Sequence, residues 1–154
     1  MEVRIVEFPE TRLAVAQHRG APEFEYETSK KLIEWRIKNR ISPATGQTYG
    51  IHYNDPFTVN PADHRVDFCV SFDLPIEPNP WCITSKIIPA LRCALARHKG
   101  ARSYNAAAMY LHQEWLPNSK EKLGDFPMFF HYVNVGPNIL EEDMITDVYL
   151  PLQF

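Results

Sequence analysis

An internal repeat limits what this chain can fold into more than any other feature of its sequence. When the 154-residue sequence is shifted by 80 residues, residues 11–35 align with residues 91–115 with eight identities in 25 positions. Because the matches keep the same order in both halves, we infer a duplication, with repeats at about 1–79 and 80–154 of a single domain spanning 1–154. Further matches are Asp67 with Asp147 at a shift of 80, and His52-Tyr53 with His131-Tyr132 at a shift of 79.

Each half predicts the element order strand, helix, strand, strand. Apolar residues alternate before Gly20 and Gly100, and a helical pattern of apolar residues follows each glycine. Pro22 suits a first helical turn, Ser103 is the expected N-cap of the second helix, and Pro117 is expected to stop that helix. The other predicted boundaries are a first helix ending before Pro43 and strands at 13–18, 49–54, 65–73, 87–96, 128–135 and 144–150.

Two such halves predict an α+β fold in which helices lie on one side of a mostly antiparallel sheet. We expect duplicated β-α-β-β units related by pseudo-twofold symmetry, with a central ligand groove between them. Grooves at such junctions are favoured places for small-molecule sites.

Composition and charge exclude several functional classes. The net charge is −3 with a pI of about 6.1 and no basic run, which argues against direct nucleic-acid binding. No apolar stretch reaches the roughly 18 residues of a membrane span. Three cysteines are too few for a disulfide framework, so we expect a cytoplasmic protein. We expect a monomer or a homodimer, since exposed sheet edges can pair.

The histidines and cysteines give no sign of a catalytic or metal centre. The six histidines lack the helical spacing of metal ligands, so we predict no metal, no cofactor and no catalytic residue. His18 and His98 are repeat equivalents before glycines, which favours hydrogen bonding at a turn. Cys69, Cys82 and Cys93 lie in apolar contexts and are predicted to be buried packing thiols.

The aromatic residues are the most informative candidates. Strand alternation puts Met128, Phe130 and Tyr132 on one sheet face and Phe129 and His131 on the other. All of these rings could be core, but aromatic walls with a carboxylate suit a lipophilic cation. Candidate carboxylates are Glu34, Glu114, Asp67 and Asp147. The predicted ligand-binding residues are Tyr53, Tyr110, Glu114, Trp115, Phe130, Tyr132 and Tyr149.

The repeat plan, together with the segments 49–56, 65–67, 115–119 and 147–151, resembles the GyrI-like effector-binding domain over nearly the whole chain. The resemblance implies a duplicated β-α-β-β fold that binds hydrophobic, often cationic compounds in a central groove. Such modules occur beside DNA-binding regulator domains of the AraC type, and also alone. The 154 residues hold no helix-turn-helix, and we expect a standalone module.

One departure from the family pattern affects the function. The family commonly carries a glutamate after the second helix, where it contacts cationic ligands and in some members serves hydrolysis. Here that position is Phe130, within Pro127-Met128-Phe129-Phe130-His131-Tyr132. A cation would then need another partner, for which Glu114 is the candidate. Two alternatives stay open: a hydrolase acting on reactive electrophilic compounds, and a protein that inhibits DNA gyrase by direct contact.

Overall fold

The computed structural model describes residues 1–55 and 57–154 and has two compact units. We call Thr11–Ile88 the continuous unit, and Met1–Glu10 with Pro89–Phe154 the split unit. Each is a four-stranded antiparallel sheet with helix on one face, so the predicted α+β class is confirmed. No helix in the described part of the chain has the length and hydropathy to cross a bilayer.

The continuous unit has strand order β3-β4-β2-β5, and its helix packs on one face of the sheet. Leu32 and Trp35 of the helix are buried against Ala14, Ala16 and Val70, because alternate strand residues point to the same side. Acidic residues in the first helical turn and basic residues in the last complement the helix dipole. Its elements are β2 (Thr11–Arg19), α1 (Glu25–Lys38), β3 (Thr48–His52), β4 (Arg65–Ser71) and β5 (Thr84–Ile88).

The split unit repeats this plan with strand order β1-β6-β8-β7. Ala107 and Leu111 of its helical segment pack on Ala94, Ala96 and Val148. Its elements are β1 (Arg4–Phe8), β6 (Leu91–Lys99), α2 (Ala106–Tyr110), a π-helical turn (Leu111–Trp115), α3 (Leu116–Asn118), β7 (Phe129–Tyr132) and β8 (Ile145–Leu152).

The strand registers obey the 80-residue shift throughout. Leu13 pairs with Ser71 as Cys93 pairs with Pro151, and Tyr49 pairs with Cys69 as Phe129 pairs with Tyr149. His52 is therefore equivalent to Tyr132, so the alignment of His52 with His131 at a shift of 79 is wrong.

The first strand of each sequence repeat pairs within the unit built mainly from the other repeat. β1 adds to β6 in the split unit, and β5 adds to β2 in the continuous unit. The sequence boundary near residue 80 therefore does not coincide with the structural boundaries at Glu10 and Ile88. A sequence shift measures likeness between segments and carries no information about which segments pair.

Three local predictions are corrected. Pro117 does not stop the second helical segment, because α3 (Leu116–Asn118) contains it, in the first turn where proline is tolerated. The single strand at 87–96 is two strands, β5 and β6, that break at Pro89 because proline has no N–H for the ladder. The N-cap of α2 is Asn105 rather than Ser103, and the Asn105 side chain accepts a hydrogen bond from the Ala108 N–H at 3.0 Å. Asn is as good an N-cap as Ser, so residue preference did not decide between the two positions.

The helix of the continuous unit provides a test of this packing. Leu32→Ala should lower the free energy of unfolding by about 2–5 kcal/mol, because Leu32 is buried against the sheet. The adjacent Ile33 is 51% exposed, and Ile33→Ala should change it by less than about 0.5 kcal/mol. Urea unfolding monitored by circular dichroism measures both. Equal losses for the two variants would contradict the orientation of α1.

Candidate functional site

A buried carboxylate organises the helix-free face of the continuous unit. Asp67 on β4 is 0% exposed, and its Oδ2 accepts hydrogen bonds from the Tyr53 hydroxyl at 2.6 Å and the Lys86 ammonium at 2.5 Å. Its Oδ1 accepts one from Arg19 at 3.2 Å. Lys86 also donates to the Tyr53 hydroxyl at 2.5 Å. A buried carboxylate requires such partners, because an unpaired charge in the interior is strongly destabilising.

The ring of Tyr53 lies among three cations. The distances from its centroid are 4.6 Å to the Arg65 guanidinium, 5.0 Å to the Lys86 ammonium and 5.5 Å to the Arg19 guanidinium. Burial and the hydrogen bond to Asp67 raise the pKa of Tyr53, so it remains a neutral phenol. Burial alone would lower the pKa of Lys86, but the hydrogen bonds with Asp67 and Tyr53 raise it, so the ammonium stays charged. This face is rich in positive charge.

The helix-free face of the split unit is aromatic instead. Phe129 is fully buried and stacks on Tyr149, with ring centroids 4.9 Å apart and an interplanar angle of 4°. Phe8 on β1 meets both rings edge-on, with centroids 4.8 Å from Phe129 and 5.1 Å from Tyr149. These contacts fix the Tyr149 ring, which is only partly buried, in one orientation.

An ion pair and a cavity adjoin this aromatic cluster. Asp147, two residues before Tyr149, accepts hydrogen bonds from Arg97 Nε at 2.7 Å and Nη2 at 3.1 Å. Both residues line a cavity of about 360 Å³ together with Met1, Glu2, Arg4 and Leu95. The three aromatic rings do not line this cavity, and its link to them is Leu95, which pairs with Tyr149. Burial and the charge of Asp147 raise the pKa of Tyr149, so its hydroxyl stays protonated and able to donate a hydrogen bond.

The structure does not bring all seven predicted ligand-binding residues together. Phe130 and Trp115 pack in the apolar cluster beneath the helical segment, and Phe130 pairs with Val148. Tyr149 therefore points to the opposite face of the sheet from Phe130, because neighbouring strand residues alternate. Tyr53 belongs to the continuous unit, on its helix-free face.

The three remaining predicted residues lie on the helical side of the split unit. Tyr132 shares the sheet face of Phe130, and the Arg102 guanidinium lies 4.8 Å from its ring centroid. Tyr110 is partly buried at the end of α2, and Glu114 is exposed in the π-helical turn. Glu114 is therefore on the opposite side of the sheet from Tyr149.

Sequence reasoning missed the partners of the two aspartates and part of the aromatic cluster. It singled out Asp67 and Asp147 as repeat equivalents, but not Lys86, Arg97 or Phe8. Arg97 lies directly opposite Asp147 in the pairing of β6 with β8, so a register deduced from the repeat would have found it. The repeat could not predict that Lys86 contacts Asp67 or that Phe8 contacts Tyr149, because β5 and β1 pair across the sequence boundary between repeats.

The cysteines agree with the prediction at two of three positions. Cys69 and Cys93 are buried, and burial raises the pKa of Cys93 to about 12 and that of Cys69 well above its usual value. Both thiols are therefore protonated and poorly nucleophilic. Cys82 is exposed, so its assignment as a buried thiol is wrong. It lies between the turn at residues 80–81 and β5, with a φ of 59°.

Comparison with known proteins identifies the family. The profile of the GyrI-like small molecule binding domain matches residues 1–153, so this chain belongs to the GyrI-like family. The probable transcriptional regulator YgiV of Escherichia coli K12 is 34% identical over 99% of this chain and 96% of its own length. A DNA gyrase inhibitor of Erwinia billingiae is 28% identical over 99% of this chain and 97% of its own.

Solved structures share the fold at low sequence identity. The EcmrR C-terminal domain superposes with a TM-score of 0.76 at 17% identity, covering 99% of this chain and 97% of that domain. EcmrR in a complex with DNA gives 0.77 at 14% identity over 99% of this chain, which spans 57% of the EcmrR chain. SAV2435 bound to tetraphenylphosphonium gives 0.55 at 9% identity, covering 99% of this chain and 94% of that one.

His18 and His98 hydrogen-bond to the turns that follow their strands, as predicted. His18 Nε2 lies 3.1 Å from the Gly20 carbonyl oxygen and 3.0 Å from that of Ala21, and His98 Nε2 lies 3.0 Å from the Ala101 carbonyl oxygen. Both rings therefore bond to the turn that ends their strand, and the prediction is confirmed. In the continuous unit, Val66 of β4 pairs with His18 on β2 and with His52 on β3.

His52 makes the stability of the fold depend on pH. Burial, with a smaller effect of the charge on His64, lowers its pKa to about 4. The unfolded chain, with a pKa of about 6.5, then binds a proton that the folded chain does not, so stability falls as pH drops from about 6.5 towards 4. The loss attributable to His52 between pH 7 and pH 5 should be about 2 kcal/mol.

The measurement is urea unfolding at pH 7, 6 and 5. In His52→Gln, the loss of unfolding free energy between pH 7 and pH 5 should be smaller by about 2 kcal/mol than in the native chain. This difference does not depend on how stable the variant is at pH 7. His112→Gln, at an exposed position on the helical side of the split unit, is the control and should leave the dependence unchanged. Parallel pH curves for the native chain and His52→Gln would show that His52 does not titrate in this way.

Proposed function

We propose that the helix-free face of the split unit binds a hydrophobic aromatic small molecule, with Tyr149 as its stacking surface. The observation that carries the proposal is the immobilised ring of Tyr149, which lies parallel to buried Phe129 and is held at its edge by Phe8. A ring that is already ordered loses little conformational entropy when a ligand stacks on it. A cavity of about 360 Å³, lined by Leu95, the strand partner of Tyr149, and by charged residues, is within the size range of small-molecule sites.

The polar groups beside this ring provide orientation. The Tyr149 hydroxyl is protonated and can donate a hydrogen bond, and Arg97 is fixed by its two bonds to Asp147. Arg97 is 59% exposed along its side chain, so part of its guanidinium faces solvent. A few placed polar groups within an apolar surface are what gives such sites specificity.

The relatives and the ion pairs bear differently on the charge of the ligand. SAV2435, which shares the fold, was solved with the cation tetraphenylphosphonium, and the face of an aromatic ring attracts cations. Against a cation stand the ion pairs of both strand aspartates, because Asp147 is held by Arg97 and Asp67 by Arg19 and Lys86. We therefore propose the aromatic ligand, and the cationic preference inferred from sequence becomes one arm of the test.

The relatives suggest what ligand binding is for. One is described as a probable transcriptional regulator, and the fold occurs as the C-terminal domain of EcmrR, which was solved on DNA. We propose that the present chain likewise acts as an effector-recognition module, whose occupancy a DNA-binding regulator would sense.

Binding is measured by fluorescence titration with N-phenyl-1-naphthylamine, a neutral aromatic probe. We expect a Kd in the micromolar range, which corresponds to about −8 kcal/mol. Tyr149→Ala should weaken binding about tenfold, because it removes the stacking surface. Tyr104→Ala is the control, since Tyr104 is 62% exposed before α2 and should leave the Kd unchanged. Absence of binding, or equal Kd values for Tyr149→Ala and the native chain, would refute the site.

The cationic preference is tested with rhodamine 6G under the same conditions. If a cation is preferred, rhodamine 6G should bind more tightly than the neutral probe and lose affinity on Asp147→Asn. Equal or weaker binding of the cation removes the preference while leaving the aromatic site in place.

A further inference from the structure

We propose that the helix-free face of the continuous unit is an anion-binding subsite, which takes the carboxylate or sulfonate group of a small aromatic acid through Arg65, Arg19 and Lys86. This goes beyond the aromatic site proposed above, since it lies in the other unit and selects the opposite charge from the one inferred for the family.

The first argument is the charge on this face. Three cations lie within 5.5 Å of the Tyr53 ring centroid, and the carboxylate that joins them, Asp67, already pairs with two. Within residues 1–55 and 57–154, no carboxylate oxygen lies within 4.0 Å of the Arg65 guanidinium. The cluster has an excess of two positive charges, and their mutual repulsion would be relieved by a bound anion.

The second argument is that the fold does not require Arg65. Arg19 and Lys86 pair with buried Asp67, as Arg97 pairs with Asp147, and the repeat equivalent of Arg19 is also a cation, Lys99. Among the described residues Arg65 has no such carboxylate partner, and at its equivalent position the split unit has Ile145. The same strand pairings form in both units. An apolar residue at this position is therefore compatible with the fold, so packing does not account for Arg65.

The third argument is geometry. The Tyr53 hydroxyl is fixed by Asp67 and Lys86, so its ring is held still while Arg65 lies over it at 4.6 Å from the centroid. Stacking holds the guanidinium plane but leaves its N–H groups free, and a guanidinium binds a carboxylate or sulfonate through two parallel hydrogen bonds. Arg65 is exposed, and Arg19 and Lys86 are 36% and 29% exposed along their side chains. An anion can therefore reach all three.

The same geometry disfavours a cation here. Asp67 is 0% exposed, so its oxygens are closed off from a ligand behind Lys86, Arg19 and Tyr53. A cationic compound approaching this face would meet Arg65 first.

The experiment compares two probes that share a scaffold. 1-Anilinonaphthalene-8-sulfonate carries a sulfonate that N-phenyl-1-naphthylamine lacks, so the effect of Arg65→Gln on each probe shows whether Arg65 recognises the anionic group. We expect Arg65→Gln to weaken binding of the sulfonate about tenfold and to leave the Kd of the neutral probe unchanged. Raising the sodium chloride concentration from 50 to 500 mM should weaken binding of the sulfonate, because salt screens its attraction to the cations. Binding of the neutral probe should not change.

Controls separate this subsite from the site in the split unit. Lys31→Gln removes one positive charge from α1, where Lys31 is exposed on the helical side of the same unit, and should have no effect. Arg65→Ile, which installs the residue of the other repeat, should act like Arg65→Gln and verifies that the fold tolerates the change. Tyr149→Ala should weaken the neutral probe far more than the sulfonate.

The outcomes are distinct. If the sulfonate does not bind, or if Arg65→Gln and Lys31→Gln change its Kd equally, the anion subsite is refuted while the aromatic site can stand. If the neutral probe fails to bind but the sulfonate binds and depends on Arg65, the aromatic site is refuted and the anion subsite stands.

Discussion

The buried carboxylates of Asp67 and Asp147 are the constraint around which both helix-free faces are built. Each is placed inside a sheet by the same strand register, and each must be paired because burial of an unpaired charge is strongly unfavourable. The continuous unit supplies Arg19 and Lys86, whereas the split unit supplies Arg97 from the directly opposite strand position. The choice of partner decides the charge that each face carries.

Duplication has preserved one side of each unit and altered the other. On the helical side, small residues of the long strand accept apolar residues of the helix in both units, as Ala14 and Ala16 do in one and Ala94 and Ala96 in the other. On the helix-free side, Tyr149 stacks with Phe129 in the split unit, but its repeat equivalent is Cys69, a buried thiol. Leu13, Val15 and Cys69 on the helix-free side are 0% exposed, so that side is close-packed as well, and the two units fill it with different side chains.

Much of the fold was predictable because it depends on local patterns. The helices follow glycines and lie where apolar residues recur at helical spacing, and His18 and His98 bond to their turns as repeat equivalence required. The candidate site was predicted less well. Phe130 and Tyr149 were grouped although they point to opposite faces, because the side on which a strand packs its helix depends on pairing with strands distant in sequence.

The sequence by itself determined the duplication, the α+β class, the positions of the helices and the equivalence of Asp67 with Asp147, since each depends on residue types at fixed spacing. Only the tertiary structure decided that β1 and β5 pair within the unit of the other repeat, and thereby that Phe8 joins Tyr149 and Lys86 joins Asp67. The physical reason is that a strand edge accepts any segment with unpaired N–H and C=O groups and a compatible face. Which of the compatible segments pairs with a given strand edge depends on the packing of the whole chain.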